Sequence, residues 1–334
     1  MSDRPVTGTD RRKFLLGGRV GLATVAGSQP VRLPAAPVRR GNSRIWQPIV
    51  DLHFEDDSGV AQWWVPELVL LGNTDVSLRA EGAVAWQSQG TSRWFDHVNP
   101  DGKIRMATRI TPIDTGWVAS MTVENRSKTD WSNVVTPVCL LLRAAPGFAD
   151  SDWARTVYRS DGKFLRYKGR STPSGRPVFR MSLVKGRQQI ERTPRHVRKW
   201  GFTRRNSDDG IIGVVSKDGE SVITPSWTQV HHLQANQKAT FACVHGNPWL
   251  GNIPAGESRT VHGCVVLTAG SPEAAWKNTR AVLASLKKCS AAAMAQNNSS
   301  TGWPSESRTG RPVSAGTAAS GFRPKACRIV AWKA

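Results

Sequence analysis

The sequence predicts a mostly β fold, an antiparallel β-sandwich with one C-terminal helix packed on it. Three observations carry this prediction. Apolar residues alternate with polar ones at period two; Asp-Gly pairs recur at 101–102, 161–162, 209–210 and 218–219; and one helical pattern appears late, after Ser271. The chain has 334 residues, 39% of them hydrophobic and 14 of them Trp, so it can bury a core and is not globally disordered. No run approaches the ~18 consecutive apolar residues of a membrane-spanning helix, so no such helix is expected in the mature chain.

Taken in order, the first segment is an address. Thr9-Asp10-Arg11-Arg12-Lys13-Phe14-Leu15-Leu16, followed by the Gly-rich Gly17 to Gly27, resembles the twin-arginine export signal. Residues 1–40 are therefore expected to be a signal and linker, with the export machinery as partner and a periplasmic or extracellular destination. Arg19 interrupts the apolar region; a disordered basic leader or an interfacial helix is the alternative.

Residues 41–289 are read as the β-sandwich domain. Trp117, Ala119, Met121 and Val123 fall on one face of a strand and Ser120, Thr122 and Glu124 on the other. Residues 104–113, 134–142, 211–215, 240–245 and 260–268 read as further strands. Ser271-Pro272-Glu273 starts a helix, with Trp276, Thr279, Val282, Leu283 and Leu286 at spacings of three and four. From 290 to 334 the chain turns to Ala, Ser, Gly, Thr and Pro and is expected to be a disordered tail.

The formal charge of +21 is unevenly placed. Between Arg159 and Arg205, 15 basic residues meet only Asp161 and Glu191, a net +13 in one insertion. For an exported chain nucleic acid is not an expected partner. An anionic polysaccharide fits the compartment, and a solvated face without partner is the plain alternative.

Four of the seven histidines lie between Trp227 and Cys264. Cys243-Val244-His245 and His262-Gly263-Cys264 form a palindrome, and pairing 243 with 264 would place 245 opposite 262 on one sheet face. Cys243, His245, His262 and Cys264 are then candidate zinc ligands; a disulfide between Cys243 and Cys264, or packing alone without any cofactor, are the competing readings. The five cysteines are too few for a disulfide scaffold.

Residues 245–257 read as a long irregular loop able to carry binding. Val123-Glu124-Asn125-Arg126-Ser127 with Trp131, Pro137-Val138-Cys139-Leu140, Arg155-Thr156-Val157-Tyr158 and Trp227 through Gly263 resemble a group of uncharacterised exported bacterial β-sandwich proteins. The Asn-Arg-Ser segment and the Pro254-Ala255-Gly256-Glu257 turn are also distantly similar to the galactose-mutarotase-like supersandwich. That family's catalytic His and Glu have no counterpart here that can be placed residue by residue, so no activity follows.

Twelve Trp between 41 and 289 against two Tyr in the chain suit sugar stacking, although most are expected in the core. Trp249 and one of Trp63-Trp64 are the expected exposed indoles. The ligand-binding candidates are Trp227, His232, His245, Asn247, Trp249 and Arg155. Three functions stay open: an exported carbohydrate-binding protein; a carbohydrate-active enzyme of epimerase or lyase type, with His231, His232 or His245 as base and Arg155 facing a sugar carboxylate; and a structural envelope protein. Glu55-Asp56-Asp57 and Asp208-Asp209 read as turns rather than as a catalytic carboxylate pair. No Gly-rich phosphate loop, G-x-S-x-G elbow or H-E-x-x-H helix is present.

Overall fold

Alternation along Gly116–Asn125 becomes a strand whose Trp117, Ala119, Met121 and Val123 all enter the main core, as expected. The computed structural model describes residues 48–54, 59–72, 74, 76–167, 178–188, 201–237 and 242–299. The leader at 1–40, Glu55-Asp56-Asp57, much of the basic insertion and residues 300–334 lie outside the described residues.

In chain order the described strands begin with β1 (Ile49–His53), β2 (Val60–Trp64), β3 (Val69–Leu70), β4 (Ser77–Leu78), β5 (Gln87–Gln89), β6 (Ser92–Val98) and β7 (Ile104–Ile113). Then come β8 (Gly116–Asn125), β9 (Trp131–Val135), β10 (Cys139–Ala144), β11 (Thr156–Ser160), β12 (Lys163–Arg166), β13 (Val178–Leu183) and β14 (Gly201–Phe202). The last are β15 (Ile212–Val215), β16 (Ser221–Trp227), β17 (Val230–Gln237), β18 (Cys243–Ile253) and β19 (Ser258–Ala269), followed by helix α1 (Pro272–Ser299).

These strands form two sheets. One has ten strands, in the order β1-β2-β10-β18-β17-β13-β14, with β9, β3 and β4 attached along the far half of β18. The other has nine, in the order β12-β11-β15-β16-β19-β8-β7-β6-β5. Pairing is antiparallel apart from β13 with β14 and an isolated Val184–Ser207 bridge. Val50, Leu52, Trp63, Leu140, Leu233 and Val244 from the first sheet meet Met106, Trp117, Met121, Trp227, Val261 and Val265 from the second. Each such buried apolar side chain contributes about 1.5–3 kcal/mol.

Helix α1 lies on the other face of the nine-stranded sheet. Trp276, Thr279, Leu283 and Leu286 are buried there as their spacing predicts, Leu283 and Leu286 against Val118, Cys264 and Val266. The Ser271 side chain accepts a hydrogen bond from the Ala274 amide, capping the first turn. The helix runs through Ser299, past the boundary near 289 where the tail is expected to start.

Three local expectations are corrected. The strand expected over 134–142 divides into β9 and β10, because Pro137 has no N–H for a ladder and the chain changes partners there. The loop expected over 245–257 is mostly strand: β18 continues to Ile253, with register shifts that bend it onto β9. Trp63 and Trp64 are both buried. Trp63 packs 5.8 Å from Trp227 inside the sandwich, and Trp64 joins Cys139, Leu141 and Cys243 in a small apolar cluster on the outer face.

The Asn-Arg-Ser segment and the Pro254–Glu257 turn meet each other and have a structural role. The Asn125 amide donates to the Thr129 and Ile253 carbonyls and accepts from the Ser127 amide, while its backbone exchanges hydrogen bonds with Glu257 and Gly256. This clamp closes the crossing from β18 to β19.

Candidate functional site

Strands β17 and β18 carry a polar row on the outer face of the ten-stranded sheet. Val230, Leu233 and Ala235 point into the core, as do Val244 and Leu250, so His232, Gln234 and Asn236 alternate outward beside Cys243, His245, Asn247 and Trp249. The register places His232 across from Asn247, Gln234 from His245 and Asn236 from Cys243. Beside β18, β10 pairs Leu140 with Val244, which brings Cys139 next to His245.

At one end the side chains form a directed hydrogen-bond chain. The Val138 amide donates to Asn247 Oδ1, which sets the orientation of the Asn247 amide group. Its Nδ2 then donates to His232 Nε2 at 2.7 Å, so the His232 proton is on Nδ1, which lies 2.9 Å from His231 Nδ1. His231 carries its proton on Nε2 and donates to the Gln188 carbonyl at 2.9 Å. Adjacent residues of a regular strand point to opposite faces, yet these two rings touch; a register shift between Val230 and His232 turns His231 to the same side. Both imidazoles are neutral: burial pushes His231 down to about 4, and burial, then the neighbouring His231 and His245, holds His232 well below the ordinary histidine value.

At the other end are three soft donors. Cys139, Cys243 and His245 are each at most 3% exposed, and their Sγ and imidazole nitrogen atoms all lie within 4.8 Å of one another. Cys243 Sγ is 3.2 Å from His245 Nε2, and the Asn236 amide nitrogen is 2.8 Å from that Sγ and 3.3 Å from that Nε2. Gln234 Nε2 in turn donates to Asn236 Oδ1, leaving the buried Gln234 Oε1 without a hydrogen bond. His245 Nδ1 faces Glu67 Oε2 at 3.9 Å. Burial raises the Cys243 thiol, but the Cys139 hydrogen bond and the His245 imidazole more than offset it, and Cys243 is held at about 6. Cys139 is pushed well up, first by burial.

Trp249 is half-buried on the same strand, and its indole N–H donates to Asn133 Oδ1 at 2.7 Å. The Arg187 guanidinium lies 3.9 Å from its ring centroid. Arg187 donates one hydrogen bond, from Nε to the Val230 carbonyl, and has no carboxylate partner among the described residues. Burial lowers its proton affinity.

Of the sequence-derived candidates, His232, His245, Asn247 and Trp249 therefore share one sheet face. The others do not join them. Trp227 is a core residue whose indole covers Gly263 on the paired strand. Arg155 is committed to the carbonyls of Gly147, Ala149 and Val215 and lies beside Asp150, so it holds a loop and presents no free edge to a ligand. His262 and Cys264 lie on β19 in the opposite sheet, opposite Ser120 and Val118, and Cys264 is buried under α1 with its thiol pushed up by burial.

The Cys243, His245, His262, Cys264 set is thus not assembled, and Cys243 and Cys264 are both free thiols. The two strands belong to different sheets: β18 pairs with β10, β17 and β9, and β19 with β16 and β8, so the chain crosses from one sheet to the other instead of forming the hairpin that the palindrome requires. Asp208 receives the Asp161 and Gly162 amides and Asp209 binds the Trp276 indole and Arg280, so this pair braces a turn and the helix.

Sequence reasoning missed Cys139, Gln234, Asn236, Glu67 and Arg187. The period-two row His232, Gln234, Asn236 was a local signal. Cys139 had none, because its neighbour His245 lies across a strand pairing far away in the chain. A concavity between the β11–β12 hairpin and α1 is lined by Arg159, Lys163, Phe164, Glu273, Trp276, Lys277 and Arg280. Asp208 and Asp209 pair with two of its cations, Arg159 and Arg280.

No protein-family model and no curated protein sequence matches the chain. Among solved structures it is similar to a Synechocystis protein, at 9% identity and a TM-score of 0.38 over 69% of this chain and 99% of that one. It is also similar to a GH36 alpha-galactosidase from Geobacillus stearothermophilus, at 12% identity and a TM-score of 0.34 over 72% of this chain and 32% of that one. A galactose mutarotase-like protein from Clostridium acetobutylicum matches at 8% identity and a TM-score of 0.32, over 56% of this chain and 66% of that one. Likeness at this level assigns no role to any residue.

Proposed function

We propose that this chain is an exported carbohydrate-binding protein that takes an acidic saccharide on the outer face of its ten-stranded sheet, where Trp249 meets Arg187. The observation that carries the reading is the Arg187 guanidinium stacked on Trp249 at 3.9 Å, with no carboxylate beside it among the described residues. A half-buried guanidinium whose Nη groups have no partner among the described residues suits a bidentate sugar carboxylate, and the part of the indole it leaves uncovered offers apolar surface to the ring C–H groups. Arg187 thereby takes the place that sequence reasoning assigned to Arg155. It belongs to the +13 insertion, which gives that charge a partner class.

An epimerase or lyase would have to draw its base from His245. Every ring nitrogen of His231 and His232 is already engaged in the directed chain.

Calorimetric titration of the full chain with an oligouronate and with a neutral oligosaccharide of equal length tests the proposal. Binding of the uronate alone is expected, weakened about tenfold or more in Arg187→Gln, as for loss of a charge-assisted pair. Equal affinity for the neutral sugar, or an unchanged affinity in a folded Arg187→Gln protein, refutes it. Export is tested separately: a reporter fused to residues 1–40 should stay inside the cell when Arg11 and Arg12 become Lys, and continued export would refute the leader reading.

A further inference from the structure

We propose that Cys139, Cys243 and His245 bind a soft divalent cation, of which zinc is the type, on rigid strands at the centre of the ten-stranded sheet. The site is independent of the saccharide reading. Its three donor atoms lie within 4.8 Å of one another, and Cys243 Sγ and His245 Nε2 are 3.2 Å apart. A tetrahedral zinc centre, with bonds of about 2.3 Å to sulfur and about 2.0 Å to nitrogen, sets its ligand atoms roughly 3.5 Å from each other. The side chains therefore need only small adjustments to meet on one ion.

The two thiols bury easily against Trp64 and Leu141, but the buried His245 imidazole has a nitrogen, Nδ1, with no hydrogen bond, which is costly in a merely packed site. Two thiolates balance the charge of one divalent ion, and the two thiol protons leave to solvent on binding. Soft sulfur donors select zinc or a similar cation over magnesium or calcium.

The surrounding residues fit the same reading. The fourth corner is faced by the Asn236 amide, 2.8 Å from Cys243 Sγ and 3.3 Å from His245 Nε2, and a half turn of that amide offers its oxygen. The far nitrogen of His245, Nδ1, is buried without a hydrogen bond and turned toward Glu67 Oε2 at 3.9 Å. A carboxylate behind a coordinating imidazole is the usual way its ring is oriented and its basicity raised. Gln234, now bonded through Nε2 to Asn236 Oδ1, can make the matching half turn, so that its unpaired Oε1 accepts from Asn236 Nδ2 and holds the fourth side chain in place.

The metal content of the reduced, full-length protein tests this, together with its spectrum when titrated with cobalt(II). One equivalent of zinc is expected, and cobalt should give intense tetrahedral visible bands with a thiolate charge-transfer band. Cys139→Ser and Cys243→Ser should each lose at least about tenfold in metal affinity, whereas Cys264→Ser, at the buried thiol under the helix, should keep the full signal. Should the serine variants fail to fold, the wild-type cobalt spectrum decides alone. Substoichiometric zinc with an octahedral cobalt spectrum, an unchanged signal in Cys139→Ser, or a Cys139–Cys243 disulfide in place of metal would overturn the proposal.

Discussion

Acid should weaken this fold through the histidine pair, by an amount that can be worked out. Burial, reinforced by the charge of Arg187, moves His231 from the ordinary 6.5 to about 4, although its bond to the Gln188 carbonyl works the other way. At about 1.4 kcal/mol per unit, the shift corresponds to about 3 kcal/mol. Above pH ~6.5 the folded and unfolded chains both hold this imidazole neutral, and it is silent. From ~6.5 down to ~4 the unfolded chain takes up a proton that the folded chain refuses, so stability falls with pH; below ~4 the loss is complete.

The groups facing His231 are Arg187 and His232, with His245 behind them, and no carboxylate among the described residues is paired with it. His232 adds to the loss in the same direction. Urea unfolding followed by Trp fluorescence, at fixed ionic strength across this range, measures the effect. The His231→Gln protein should keep about 3 kcal/mol more of its neutral-pH stability at pH ~4 than the wild type does. Parallel pH curves for the two proteins, or a His231 ring that titrates by NMR at or above 6.5, would refute the reasoning.

Two further outcomes follow from packing. A Cβ added at Gly263 would lie 2.4 Å from Trp227 Cδ2, so Gly263→Ala should cost about 1–3 kcal/mol in thermal unfolding, and an unchanged melting temperature would show that the indole moves aside freely. Asn125→Ala should cost about 2–3 kcal/mol, because it strands the buried Ile253 carbonyl and the Ser127 amide at the β18–β19 crossing; a loss below ~0.5 kcal/mol would show that water replaces the clamp.

Much of this architecture was legible in the chain. Wherever one face of an element is buried and the other is polar, the period appears in the residues themselves, as in the strand from Trp117 to Val123 and the helix from Trp276 to Leu286. The same reasoning failed where burial is two-sided. Trp63 and Trp64 read as one inside and one outside, but the outer face has its own apolar cluster around Cys139. It failed again at Gly246 to Ile253, where Pro and Gly residues suggested a loop and bulges allowed a strand.

What the sequence alone determined is the mostly β class, the closing helix, and the set of chemical groups available, His232, His245, Asn247 and Trp249 among them. Only the tertiary structure decided which groups meet. Period two tells a residue which side of its strand it is on, but nothing in it names the neighbouring strand. Cys139 and not Cys264 therefore stands beside His245, and Arg187 stacks on Trp249 while Arg155 is tied to loop carbonyls, because strand pairing and loop bonding are set by how the whole core packs.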